Sequence, residues 1–178
     1  MKTDRTSLRR LPYRGHHDRT TIDAILDDNY LCHVACNVSG HLRCIPTAYG
    51  REGDYLYLHG SVKSPLLMAL ANGEEACITV TEVNAIVLAR SLFHSSMNYR
   101  SVMLVGNAES LTSDQEKMKG LRVVSESIWK GRWNEARLPT PGELSATSVV
   151  RMPITEGSAK IRTGPAIDNK EDYSLPIW

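Results

Sequence analysis

A chain of 178 residues is the size of one compact domain, and 42% hydrophobic against 23% charged residues supplies material for a single core. Lysine and arginine number 21 against 20 acidic residues, a net charge of +1, so no broad positive field is present and nucleic acid is argued against as a partner. The longest apolar run, residues 85–89, is far too short to span lipid, and the charged opening is followed by no apolar block, which predicts a cytoplasmic protein with no membrane partner.

Residues 1–17, with Arg9, Arg10, Arg14, His16 and His17, have no clear period and are read as an arm lying on the body or on a partner, leaving 18–178 as one domain. Behind the N-capping side chains that follow Asp18, apolar positions 22, 25 and 26 predict a short helix to about Asp28. Cys32, Val34, Cys36 and Val38 alternate with polar neighbours on a strand over 31–38, and Ser39-Gly40 turns it into a second strand over 41–49. In that second strand Leu42, Cys44, Pro46 and Ala48 share one side, and Pro46, lacking a donor, requires a free edge or a bulge. A turn at 50–53 leads to a third strand over 54–59, completing a meander.

Ser64, Pro65 and the closing Asn72-Gly73 bound a two-turn helix. Strands are predicted over 76–83, 86–91 and 99–108, bringing the count to six. Capping boxes at Ser113 to Glu116 and Thr140 to Glu143 open a helix to about Trp129 and a shorter one, and 148–161 reads as extended, interrupted by Pro153 and Gly157. The polar tail finishes on Trp178, a large aromatic that a free tail has no reason to carry, so it is expected to dock. Many short strands with few, peripheral helices predict a mainly β protein built as an antiparallel barrel.

Chemistry concentrates in two places. In His59-Gly60-Ser61-Val62-Lys63-Ser64-Pro65 a strand passes through a glycine into a helix, so two hydroxyls, a lysine and free amides meet where a phosphate would fit; the same residues also suit a plain helix cap with a solvated lysine. The second is His94 to Val102, where Arg100 and Ser101 can face oxygen acceptors and Tyr99 can stack on a ring, or the segment is a hydrated loop leading into an ordinary strand. Six histidines form no helical pair or Cys/His module, so no metal site is predicted. No Gly-x-Ser-x-Gly elbow is present, and Cys32, Cys36, Cys44 and Cys77 read as core filling, which leaves no protein nucleophile and no assigned catalytic residue.

Taken together and in order, Pro46-Thr47-Ala48-Tyr49-Gly50, Leu56 to Ser61, Met97 to Val102 with Gly106, Lys160 to Gly164 and the Leu-Pro-Ile-Trp ending resemble the pyridoxamine 5′-phosphate oxidase-like flavoproteins, more narrowly their nitroimidazole-resistance-related branch. The resemblance implies a six-stranded split β-barrel working as a homodimer, with FMN in grooves between the subunits. It implies that Ser61, Lys63 and Ser64 hold the FMN phosphate, that Pro46, Thr47, Ala48 and Tyr49 line the isoalloxazine ring, and that Arg100, Ser101 and Val102 contact the ring and its polar edge. Arg162 and Trp178 would approach from the partner chain. His33, Tyr57 and His59 lie on or near one alternation face, where each either meets substrate or is a partly exposed interface residue. The function implied is an FMN-dependent oxidoreductase reducing a small electron-poor compound, a nitroaromatic or quinone, with a reduced nicotinamide or another donor. The alternatives are a flavin- or haem-binding dimer without turnover and a barrel used only for protein contact. The ending Ser174-Leu175-Pro176-Ile177-Trp178 departs from the Arg-Leu-Ala-Pro type of tail of true pyridoxamine phosphate oxidases, which argues against that reaction.

Overall fold

The computed structural model of the chain describes residues 1–175. Its body is one curled antiparallel sheet of nine strands: β1 (Gly15–His16), β2 (Leu31–Val38), β3 (His41–Glu52), β4 (Tyr55–Ser61), β5 (Glu75–Val87), β6 (Ser96–Asn107), β7 (Glu109–Ser110), β8 (Thr147–Pro153) and β9 (Gly157–Arg162). They run in the order β1-β9-β6-β5-β2-β3-β4-β8-β7. Five α-helices lie around it: α1 (Arg19–Asp27), α2 (Pro65–Ala71), α3 (Asp114–Ile128), α4 (Arg132–Glu135) and α5 (Pro141–Ser145).

The strand count differs from the expected six. The strand predicted over 76–83 and the first two residues of the one predicted over 86–91 form one continuous β5 that ends at Val87, whose pairing with β6 slips at a bulge between Val83 and Ala85, so that an irregular register, not a turn, separates the two apolar runs, while residues 88–91 are not strand. The extended stretch near the C-terminus divides into β8 and β9 around the predicted break, and β1 and β7 are two-residue additions at the two edges.

Local signals formed where they were strongest. Asp18 Oδ1 accepts from Thr21 N at 2.8 Å to start α1, whose Ile22, Ile25 and Leu26 are buried. On β2 the four even residues are buried, as a period of two requires. Both capping boxes are present, at the starts of α3 and α5. The first half of β3 departs from expectation: Leu42 and Cys44, expected on a covered side, are exposed, because none of the described residues packs over them.

Residues 1–17 lie on the body. Thr6 is buried, Arg5 bridges Glu156 and Glu75 at 2.7 and 2.8 Å, and Gly15–His16 extends the sheet along β9. The main core joins α1 and α2 to the inner side of the sheet through Leu26, Val34, Leu58, Leu70, Ile78 and Leu104. A smaller core of Tyr57, Leu111, Val123, Val124 and Val149 lies under α3. Two glycines permit that helix to come close: a Cβ on Gly50 would sit 2.6 Å from the Val123 carbonyl oxygen, and one on Gly120 2.6 Å from Val149 Cγ1. None of the described helices is long and apolar enough to cross a membrane.

Candidate functional site

Strands β3 and β4 begin their ladder at the Glu52–Tyr55 turn, and it ends at Tyr49 and Leu58. Beyond that point β3 runs on against β2 alone, as far as His41, while β4 runs on against β8 alone, as far as Ser61. The two strands therefore part, and Pro46, Thr47 and Ala48 face the gap from one side while His59, Gly60 and Ser61 face it from the other. Pro46 sits where β3 has only β2 as a neighbour, which is the free edge its missing N–H requires.

Below the gap, β4 passes into the loop that caps α2. Val62 N donates to Ala146 O at 3.0 Å and Ser64 N to Ser61 O at 2.9 Å, which holds the loop as a turn. Ser61 Oγ accepts from Lys63 N at 3.1 Å, and Ser64 Oγ accepts from Leu67 N at 3.4 Å as the helix cap. Ser61 and Lys63 are exposed, so a hydroxyl and an ammonium stand at the mouth of the gap. A carboxylate or phosphate placed there would gain a charge-assisted hydrogen bond from Lys63.

Other expected site residues behave differently. Tyr49 is fully buried and its hydroxyl donates to Leu26 O at 2.7 Å, so only its backbone borders the gap; burial pushes its ionisation up. Val102 is also a core side chain. Arg100 pairs with Asp28 at 3.0 Å and with Glu82, and the Ser101 hydroxyl donates to Lys160 O at 3.3 Å. Tyr99 is half-buried and lies opposite Arg162, which is buried and donates to Asn98. Strand β6 is separated from β3 by β5 and β2, about 14 Å along the sheet at ~4.8 Å per strand, and β9 lies one strand further away. Within one chain the two expected groups are thus not side by side on the sheet. Trp178 lies outside the described residues.

Tyr57 shares a side of β4 with His59, whereas His33 lies on another strand. Tyr57 is buried under α3, and His33 is exposed on β2. Of the cysteines, Cys32 and Cys36 fill the core, with the Cys32 thiol pushed up to about 12 by burial, whereas Cys44 is exposed and Cys77 half-buried. No group of three or more His, Cys, Asp or Glu side chains is placed to hold a metal ion among the described residues.

His59 is placed by β4 on the same side as Tyr57, where it lines a cavity of about 320 Å³ together with Leu121, Val124, Ile128, Trp133 and Leu138. Its Nδ1 is buried with no hydrogen-bond partner among the described residues, and burial lowers its pKa, favouring the neutral ring. Arg132 and Arg137 also border this cavity; Arg137 is held by Glu143 at 2.8 and 2.9 Å, and that guanidinium, with the Thr140 cap, lowers the carboxyl of Glu143 to about 2. The sequence reading did not find these walls, since they come from β4, α3 and the segment 132–139. A larger open hollow of about 930 Å³ beside α3 is lined by interleaved charges of both signs, such as Arg51, Glu52, Lys119 and Glu126.

The chain belongs to the family described as pyridoxamine 5′-phosphate oxidase, whose family model matches residues 18–161. It is similar to the solved flavocytochrome Anf3 from Azotobacter vinelandii, with 39% identity over 99% of this chain and 82% of that one and a TM-score of 0.90. It is also similar to the FAD and heme binding protein from Mycobacterium smegmatis, with 36% identity, 93% and 81% coverage and a TM-score of 0.86. A putative 5-nitroimidazole antibiotic resistance protein from Bacteroides thetaiotaomicron shares the fold, at 22% identity, 83% and 86% coverage and a TM-score of 0.69. No curated protein matches the chain.

Proposed function

We propose that this chain is a flavin-dependent oxidoreductase acting as a homodimer. The observation that carries the reading is the parting of β3 and β4 at Tyr49 and Leu58, which leaves two strand edges open above a loop bearing Ser61, Lys63 and Ser64. A flavin phosphate suits Lys63 and the two hydroxyls, and the open edges at Pro46–Ala48 and Gly60 offer backbone donors and acceptors to the polar rim of a flat ring. When bound, the flavin supplies one- and two-electron transfer, so the absence of a nucleophilic constellation from the sequence is in keeping with this role.

Two features support the dimer. The groups on β3–β4 and on β6–β9 lie too far apart along one sheet to form a single compact wall, whereas a second subunit could bring its Arg100, Tyr99 and Arg162 region to the gap. Large apolar side chains stand uncovered around the β5–β6 connection, with Leu92 95% and Phe93 89% exposed, alongside Ile86 near the end of β5 and Leu88 just after it. Such a patch on a folded chain calls for a partner surface.

FMN is the smallest flavin that satisfies the phosphate loop; the similarity to a protein named for FAD supports the dinucleotide, and both share the ring and the first phosphate. The acceptor we infer is a small, flat, electron-poor compound of nitroaromatic or quinone type, with a reduced nicotinamide as donor. A second reading, a flavin- and haem-binding protein without turnover of such a compound, is favoured by the names of the two relatives above 30% identity. Bleaching of the bound flavin by a reduced nicotinamide and its recolouring by a nitroaromatic supports the first reading, and flavin that stays oxidised supports the second. Lys63→Ala removes a charge-assisted bond of about 1.5–3 kcal/mol, so flavin affinity measured by fluorescence titration should fall roughly 10- to 150-fold. Unchanged affinity overturns the phosphate assignment.

A further inference from the structure

The cavity beside His59 measures about 320 Å³, and its walls are mostly apolar: Leu121, Val124, Ile128 and Leu138 give aliphatic surface and Trp133 a flat aromatic face. A dry apolar cavity of about 150 Å³ holds one benzene molecule. At about 320 Å³ this one has room for one or two fused rings and for nothing much larger.

Two polar features break the apolar lining. His59 Nδ1 is buried with no hydrogen-bond partner among the described residues, and a desolvated polar atom is costly until some group bonds it. Burial also keeps the imidazole neutral, so the ring has one donating and one accepting nitrogen. The other feature is Arg132, which is exposed at the rim. Its one carboxylate neighbour among the described residues is Glu135, at 3.8 Å, so the guanidinium is available to a ligand, whereas Arg137 is already engaged by Glu143.

We propose that this cavity binds a small hydroxylated aromatic carboxylic acid, with its one or two rings against Trp133 and the aliphatic wall, its carboxylate on Arg132 and its hydroxyl bonded to the His59 imidazole. Each part of that ligand answers a feature of the wall. The lining holds two arginines and no aspartate or glutamate, so an anion is favoured there and a cation finds no counterion. A hydroxyl both donates and accepts, so it satisfies the neutral imidazole in either tautomer. A flat ring stacks on an indole face more completely than a flexible aliphatic chain does. The site goes beyond the flavin reading and does not depend on it: none of its residues belongs to the loop bearing Ser61, Lys63 and Ser64.

The test is calorimetric titration of the intact protein with three probes: naphthoate, naphthoate carrying a hydroxyl on the ring remote from the carboxylate, and naphthamide. The hydroxylated acid should bind saturably at one per chain. Naphthoate, lacking the hydroxyl, should bind about two- to tenfold more weakly, and naphthamide, lacking the charge, about threefold or more below naphthoate. His59→Leu should erase the preference for the hydroxyl and keep that for the carboxylate; Arg132→Ala should do the reverse. Both preferences are affinity ratios within one protein, so a variant that is merely less stable does not mimic their loss. Ala136→Trp, which fills the cavity from a small half-buried position, should abolish binding of all three. Lys63→Ala should bind the probes as the wild type does whatever its flavin content, which separates this site from the phosphate loop. A wild type that binds none of the probes saturably, an Ala136→Trp variant that binds them at full strength, or a preference that survives the loss of its side chain overturns the proposal.

Discussion

Strand β4 has two sides, and they are finished to different degrees. Leu56 and Leu58 enter the main core at 0 and 1% exposure, and α1, α2 and the inner sheet close over them completely. On the other side Tyr57 is equally buried, under α3, but His59 two residues later meets a cavity. The helix ends at Ile128, and cover passes to the four-residue α4 and an irregular segment. A regular element packed on a strand leaves little room for a ligand, whereas the place where that element stops leaves space and an unpaired side chain together. The cavity beside His59 lies where that packing was left incomplete.

That contrast can be broken by substitution. Leu58→Ala, on the finished side, should cost about 2–5 kcal/mol in urea denaturation, since it removes buried methyl groups from a region with no slack. A cost below about 1 kcal/mol would mean that this side is not close-packed after all. Gly120→Ala attacks the contact that lets α3 cover Tyr57. Its methyl would lie 2.6 Å from Val149 and 3.2 Å from Tyr57, so a loss of about 1–3 kcal/mol is expected even though alanine is the better helix former by about 1 kcal/mol. A stabilised variant would show that α3 can lift without penalty.

The smallest effect is expected at His59 and is read best against pH. Burial holds its folded pKa below 6.5, so as pH falls through 6.5 the unfolded chain binds a proton that the folded chain refuses, and stability declines until the folded pKa is reached. His59→Leu should leave stability at pH 8 within about 1 kcal/mol of wild type and flatten its decline as pH falls below about 6.5. An identical pH slope in both proteins would place the titrating group elsewhere.

Much of this architecture was legible because its signals are local. The N-cap at Asp18, the alternation in β2, the proline at the free edge of β3 and both capping boxes each lie within a few consecutive residues, and each formed. The turn that leads from β4 to the Ser64 cap of α2 was legible for the same reason, being contiguous from His59 to Ser64. The single long β5 was not, because Asn84 at the bulge carries the same composition as a turn. Helix α4 was missed since it is only four residues long and starts from Gly131 at a positive φ of 88°. The burial of Tyr49 was not foreseen either: a motif names the residue, but the hydrogen bond to Leu26 decides which way its ring points.

By itself, then, the order of amino acids determined the class of fold, the helix starts, the strand periods and the lysine-bearing loop, because each depends on backbone preferences acting over one or two turns of chain. Only the folded molecule decided that β3 and β4 separate, that Leu42 and Cys44 stay uncovered, and that His59 shares a cavity with residues 62 to 79 positions further along the chain. Those outcomes depend on where distant elements end against one another, and no short stretch of sequence contains both ends of such a contact.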